Sequence, residues 1–387
     1  MKTDAEEFDV IVVGAGPAGS SAAFTLARAG LTVALIDKAS FPRFKLCGGL
    51  FTERSMSYAR DIFGAGILPP IARSFDTISF WHEGRELAVL RDVPPLHLTM
   101  RVDLDTDLFR RAINAGAIDV TGQPVASVQG ATVTLRSGAT LTAKVLIGAD
   151  GVNSIVARAL FGAPFDKGRI GFGLEIEAPP NALDPTPLPL RIDFGAAVWG
   201  YGWSFPKRNT TTIGVGGLHA PNPDMKDHMR RYLRGFGLDP DAVPIKGHYL
   251  PFGDFRPVPG RRNVLLAGDA AGLVDPITGE GIAFAMKSGH LAALAAIDAL
   301  SANRPDAALP RYQSSLRDMH RNLRIARTLR HIIFAPRWQK AFTSTFQRSG
   351  TVRSQYMRLL AGEVEYPQLA RNVIARLPRY VMNGMRR

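Results

Sequence analysis

Residues Val10-Ile11-Val12-Val13-Gly14-Ala15-Gly16-Pro17-Ala18-Gly19 put three glycines behind an apolar run, and Asp37 closes the next apolar run eighteen residues later. Gly14 suits a tight turn, Gly16 a close approach of backbone to a pyrophosphate, and Gly19 close packing of helix on strand. A helix opening here turns unpaired N–H groups and a positive dipole end toward the phosphates. Asp37 is placed to accept hydrogen bonds from a ribose 2′-OH, and an acid there disfavours a 2′-phosphate. The bound nucleotide is therefore expected to be FAD or NAD, not NADP.

Two further glycine–acid runs carry related chemistry. Gly148-Ala149-Asp150-Gly151-Val152-Asn153-Ser154 sets a carboxylate and a turn at the end of an apolar strand, where open α/β sheets bind ligands. Leu266-Ala267-Gly268-Asp269-Ala270-Ala271-Gly272 is followed by Pro276 and Gly279-Glu280-Gly281-Ile282. Asp269 can hold a ribityl or ribose hydroxyl, and the turn opening a helix at Gly281 can offer N–H groups to a reduced flavin. Each run alone is weak, because Asp-Gly is a common turn.

The elements that position these residues follow from periodicity. Residues 1–50 read as strand–helix–strand, 101–116 as a helix, and 125–128, 131–135 and 144–148 as strands. Residues 170–217 are strand-rich, broken by Pro179-Pro180 and the proline-laden stretch 184–189. Residues 263–268 form another buried strand that leads to a helix from Gly281. Residues 309–333 read as one helix with Tyr312, Leu316, Met319, Leu323, Ala326 and Ile333 along a stripe. The expected fold is α/β: an interrupted Rossmann-type nucleotide-binding domain with an inserted β-rich substrate domain and a helical C-terminal region. Its boundaries are 1–75, 100–160 and 260–300 for the nucleotide-binding part, 76–99 and 161–259 for the sheet, and 301–387 for the basic helical region.

On a strand, Trp199, Tyr201, Trp203 and Phe205 project to one side. Four aromatics in a row make a flat apolar wall suited to a long hydrocarbon; the plainer alternative is sheet core under a helix. Cys47 is the only cysteine of the 387 residues, which excludes an intrachain disulfide and fits a reducing compartment. It lies between Lys45 and two glycines, and shaping the flavin face or relaying a proton competes with a role as a small buried hydrophobe. The histidines show no metal-ligand spacing, and no Ser–His–Asp constellation is visible.

Charge is uneven. Residues 304–387 hold 17 Lys/Arg against 4 Asp/Glu, which accounts for the whole net charge of +13. A binding surface for an anion (a diphosphate or an acidic membrane surface) is one use for it, and a solvated basic face the other. Nucleic acid is not expected, since no zinc-finger, helix-turn-helix or RNA-binding motif accompanies the charge. Residues 1–9 do not read as a secretory or transit peptide. The apolar stretch 281–300 carries Lys287, Ser288, His290 and Asp298, which reads as a buried helix. The expected location is cytoplasmic, with peripheral contact at the inner face of the membrane as the alternative.

With these residues assembled, the chain resembles FAD-dependent oxidoreductases built like para-hydroxybenzoate hydroxylase, and within them the geranylgeranyl reductase family, over roughly residues 8–300. Two features select that branch. Lys45-Leu46-Cys47-Gly48-Gly49 is similar to a run those reductases place near the flavin, which aromatic hydroxylases lack. Tyr201-Gly202-Trp203-Ser204-Phe205-Pro206, with Gly214-Val215-Gly216 behind it, is similar to their Y-x-W-x-F-P…G-x-G motif. The resemblance implies FAD contacts at Gly14, Gly16, Ala18, Gly19, Asp37, Lys38, Lys45, Cys47, Gly48, Arg101, Val125, Asp150, Gly268, Asp269, Pro276, Gly279, Gly281 and Ile282. It implies substrate contacts at Trp199, Tyr201, Trp203 and Phe205, and catalytic roles for Cys47, Tyr201 and Trp203. The implied reaction is reduction of isolated isoprenoid double bonds by hydride from reduced flavin, with NAD(P)H or a reduced carrier protein as electron donor. A flavin monooxygenase or halogenase acting on a small aromatic is the competing reading. Halogenases carry Trp at the Tyr201 position and Ile at the Phe205 position, and this chain departs from both.

Overall fold

A computed structural model describes residues 6–65, 69–179 and 189–371. Part of the N-terminal segment, most of the proline-laden stretch at 184–189 and the basic residues beyond 371 lie outside the described residues.

The first strand, Glu6–Val13, is buried along most of its length and sits inside an eight-stranded sheet. It pairs in parallel with Val33–Asp37 on one side and Thr140–Gly148 on the other, and the sheet continues to Ile118–Thr121 and to Val264–Leu266. Val33–Asp37, Val264–Leu266 and the end of Thr140–Gly148 are apolar runs buried in the middle of the sheet, while Ile118–Thr121 forms its more exposed edge. The helix Pro17–Arg28 leaves the glycine turn and packs on Ile282–Ser301, where a Cβ on Gly289 would lie 2.0 Å from the Ala18 carbonyl. Ile282–Ser301 is long and apolar enough to cross a membrane, but 67% of that window is buried inside the fold. It packs as a core helix.

A second sheet of seven strands runs in the order Lys246–Leu250, Gly171–Ala178, Thr211–Leu218, Gly200–Pro206, Leu190–Phe194, Ile78–His82, Arg85–Leu90. Leu174, Ile176, Ile213 and Val215 on one face meet Met229 and Leu233 of the helix Met225–Arg234. The opposite face turns toward the first sheet.

The C-terminal helices differ from the sequence reading. One helix was expected over 309–333, and two are found, Ala308–Ser315 and Arg317–Phe334, meeting at Leu316. The apolar stripe hides the break because both helices bury the same face: Tyr312, Leu316, Met319 and Leu323 belong to one core cluster. Pro336–Arg348 and Gly350–Ala361 follow, and Phe334, Phe346 and Leu360 pack with Phe80 and Phe194 of the second sheet.

Candidate functional site

One cavity of about 720 Å³ lies between the two sheets and is lined by both the glycine turn and the aromatic strand. At its nucleotide end Gly14 has φ +99°, and a Cβ there would sit 2.3 Å from the Ala149 carbonyl. A Cβ on Gly19 would sit 1.6 Å from the Gly14 carbonyl, so the turn and helix close on each other only without side chains. Asp37 is buried at the end of its strand. One carboxylate oxygen accepts the Ala15 N–H at 2.8 Å and the other the Ala39 N–H at 3.0 Å. Asp37 therefore ties the glycine turn to the second strand.

Two guanidiniums stand at the turn. A Cβ on Gly16 would lie 3.4 Å from Arg43 Nη2 and 4.0 Å from Arg101 Nη2. Arg101 opens the helix Arg101–Asn114 and donates to both oxygens of the fully buried Asp105 at 2.6 and 2.8 Å; Arg43 reaches the same carboxylate at 3.2 Å. Burial opposes the Arg101 charge, but the Asp105 carboxylate outweighs it and raises the pKa. Arg101 is thus held cationic beside a helix N-terminus, an arrangement that suits a pyrophosphate. Arg43 and Asp105 carried no signal in the sequence, because neither sits in a glycine motif.

Asp150 lines the cavity, with its carboxylate turned to its own loop, where it accepts Ser154 Oγ–H at 2.5 Å and the Ile155 N–H at 2.7 Å. Burial raises its pKa against those bonds. Asp269 lies on a single turn, Gly268–Ala271; burial raises its pKa, and Lys45 and Arg101 pull it back. Lys38, Lys45, Cys47, Gly48, Val125, Gly279, Gly281 and Ile282 also line the cavity. Gly268 and Gly19 do not; both serve packing, with the Gly268 N–H bonded to Ser288 Oγ at 2.9 Å. Pro276 is likewise outside the lining.

At the other end Tyr201, Trp203 and Phe205 face the cavity, while Gly202 on the opposite face abuts Tyr232 of the covering helix. Trp199 does not join them. It precedes the strand with φ +56°, outside extended backbone, so the period-two alternation stops at Gly200. Its ring instead meets His331 edge-on, 4.8 Å between centroids.

The Gly214-Val215-Gly216 run finds its reason here. Cβ atoms would come within 2.3 Å of Trp203 Cζ2 at Gly214 and 3.3 Å of Cζ3 at Gly216, so the indole lies flat across the neighbouring strand. Gly48 backs it from the loop, 3.2 Å from Trp203 Nε1 by the same construction. The Tyr201 hydroxyl donates to the Thr278 carbonyl at 2.7 Å, which ties the aromatic strand to the 276–281 segment. Tyr356 and Leu360 of the C-terminal helix complete this apolar end.

Between the two ends lies a polar band. Half-buried Lys45 is lowered by burial to about 8, with Arg101 adding to the effect and Asp269 opposing it. Burial brings His248 down to about 4, and Lys45 adds to that. Glu280 is raised by burial to about 7 although Arg54 lies 3.2 Å away; Arg54 also donates to Glu365 at 2.9 Å. The Tyr366 hydroxyl reaches both oxygens of Asp275 at 2.8 Å. The C-terminal segment is thereby clipped to the loop beneath the cavity.

The glycine turn, the cationic cradle and the aromatic-walled cavity fit a Rossmann-type FAD-binding oxidoreductase. A family model described as an FAD binding domain matches residues 7–169. The geranylgeranyl diphosphate reductase of Rhodobacter capsulatus is 34% identical over 312 residues, 77% of each chain. The menaquinone reductase of Mycolicibacterium smegmatis is 30% identical over 384 residues, 92% of each. A solved geranylgeranyl bacteriochlorophyll reductase-like structure from Thermoplasma acidophilum shares the fold, with a TM-score of 0.72 at 22% identity over 92% of both chains. The chain belongs to the geranylgeranyl reductase family of FAD-dependent oxidoreductases.

Proposed function

We propose that this chain reduces isolated C=C bonds in an isoprenoid chain carried on a diphosphate, lipid or quinone head. The observation that carries this reading is that one cavity joins two kinds of wall: its cationic end suits a dinucleotide, and its other end is walled by Tyr201, Trp203 and Phe205. Geranylgeranyl diphosphate and menaquinone, named for two relatives, share a polyprenyl chain and little else.

In this reading the Gly14–Gly19 turn, Arg43 and Arg101 hold the FAD pyrophosphate, Asp37 the adenosine ribose, and Asp269 the ribityl arm. Lys45, Cys47, Gly48 and residues Gly279 to Ile282 surround the ring. Reduced FAD supplies hydride chemistry. An isolated alkene has no carbonyl for a protein group to polarise, so the chain's own task is positioning, water exclusion and a proton. Trp203, pinned by its glycine bed, and Tyr201, pinned by Thr278, present rigid faces to the hydrocarbon. Cys47 lines the cavity from its loop and would stand beside the ring. NAD(P)H binding transiently or a reduced carrier protein supplies electrons. The exposed arginines of Arg317–Phe334 draw the anionic head, or the membrane surface that holds it, toward a cytoplasmic enzyme.

The test is product analysis. Incubation with reduced flavin and geranylgeranyl diphosphate yields a product heavier by two hydrogens per bond reduced. A hydroxylated or halogenated small aromatic, with the prenyl chain untouched, overturns the reading.

A further inference from the structure

Glu175 lies on the cavity-lining face of the strand Gly171–Ala178 and is 2% exposed. Its Oε1 accepts the Cys47 backbone N–H at 2.8 Å, while Oε2 is buried with no hydrogen-bond partner among the described residues. A buried carboxylate with one oxygen unbonded is costly, and protonation removes the cost.

The groups around it come from four elements. The loop contributes Lys45 and Cys47. The end of the aromatic strand contributes Lys207, 5% exposed and 3.4 Å from Glu177. Glu177 sits on the strand of Glu175 itself, and Lys246 and His248 sit on the neighbouring strand, Lys246 in register with Glu175. Lys246 is exposed and rests over Phe44, 3.9 Å from the ring centroid. Burial lifts the Glu175 carboxyl to about 7, with Lys207 and the Cys47 N–H pulling the other way. Burial thus moves an acid, Glu175, and an ammonium, Lys45, toward neutrality around the loop at Cys47.

We propose that Glu175 is the proton store of this cavity and that the proton on its free oxygen goes to the alkene. The inference rests on the reductase reading above. One alkene carbon takes a hydride, with both electrons, from the reduced cofactor. The π pair bonds the proton at the other carbon, and the Oε2–H bond breaks. The carboxylate left behind is favoured by the charges of Lys207 and Lys45, and a proton from solvent restores the acid.

The test pairs Glu175→Gln with a spectroscopic titration. Gln keeps an oxygen for the Cys47 N–H and removes the proton. In the FAD-free protein, infrared difference spectra of wild type against the variant should show a buried carboxylic acid that ionises near neutral pH; Glu280 is common to both and cancels. Pre-reduced E175Q should bind FAD and geranylgeranyl diphosphate as wild type does, while the rate of flavin reoxidation by the alkene falls about 100-fold or more. An E175Q rate near wild type, loss of FAD or ligand binding along with the rate, or a wild-type carboxyl already ionised across roughly pH 5–9 overturns the inference. If wild type itself leaves the alkene untouched, the reductase reading falls first and takes this inference with it.

Discussion

Gly214→Ala tests whether the glycines behind the aromatic strand exist to seat Trp203. The added Cβ would lie 2.3 Å from Trp203 Cζ2 and 2.7 Å from the Leu174 carbonyl, against ordinary contact beyond 3.4 Å. The indole must move by about 1 Å or the strands must spread, and overpacking of that kind costs about 1–3 kcal/mol. Gly216→Ala is the built-in comparison. Its Cβ meets Trp203 at 3.3 Å, a few tenths from comfortable, and should cost less than about 1 kcal/mol. Urea unfolding of the two variants, alone and in a Trp203→Leu background, separates ring from strand. Removing the ring should recover at least about 1 kcal/mol of the Gly214→Ala cost, the residue belonging to Leu174. Near-UV circular dichroism should report the displaced indole, and affinity for a prenyl ligand should fall with it. A Gly214→Ala cost that is unchanged without Trp203, or equal to that of Gly216→Ala, refutes the reasoning.

Asp37→Ala removes the acceptor for two loop N–H groups, and FAD affinity measured by fluorescence quenching should fall about 10- to 100-fold, following a loss of about 1.5–3 kcal/mol. Tyr366→Phe strips a hydroxyl from the buried Asp275 carboxylate; urea unfolding should show a loss of about 2 kcal/mol with the second sheet intact by circular dichroism. Glu175 is raised from 4.5 to about 7, so the folded chain holds its proton longer than the unfolded one. Its contribution to stability is therefore full below 4.5 and is lost as pH rises through about 7, a swing on the order of 3 kcal/mol. Denaturation across that window should show wild type losing stability relative to Glu175→Gln; parallel curves refute it.

What the sequence disclosed was local. The glycine turn, Asp37 and the alternation of Tyr201, Trp203 and Phe205 are written in spacings of two to eighteen residues, where backbone geometry alone sets the outcome. Alternation misplaced Trp199, because one left-handed residue ends the period and leaves no mark in the pattern. The break at Leu316 was hidden because its neighbours keep their buried face. Arg43 and Asp105 in the cradle, Glu175 under Cys47 and Arg54 between Glu280 and Glu365 were out of reach for another reason. Cys47 and Glu175 lie 128 residues apart, and Arg54 and Glu365 lie 311 apart. Such pairs are made by the packing of sheets and helices and have no periodic signature.

The claim that joins these parts is that electrons pass from the flavin to a hydrocarbon lying on the aromatic strand. Photoreduced protein mixed with geranylgeranyl diphosphate in a stopped-flow instrument, with oxygen excluded, addresses it directly. The account predicts that oxidised-flavin absorbance returns in step with saturated product, and more slowly once Trp203 is truncated. Absorbance that stays bleached until oxygen is admitted would contradict it.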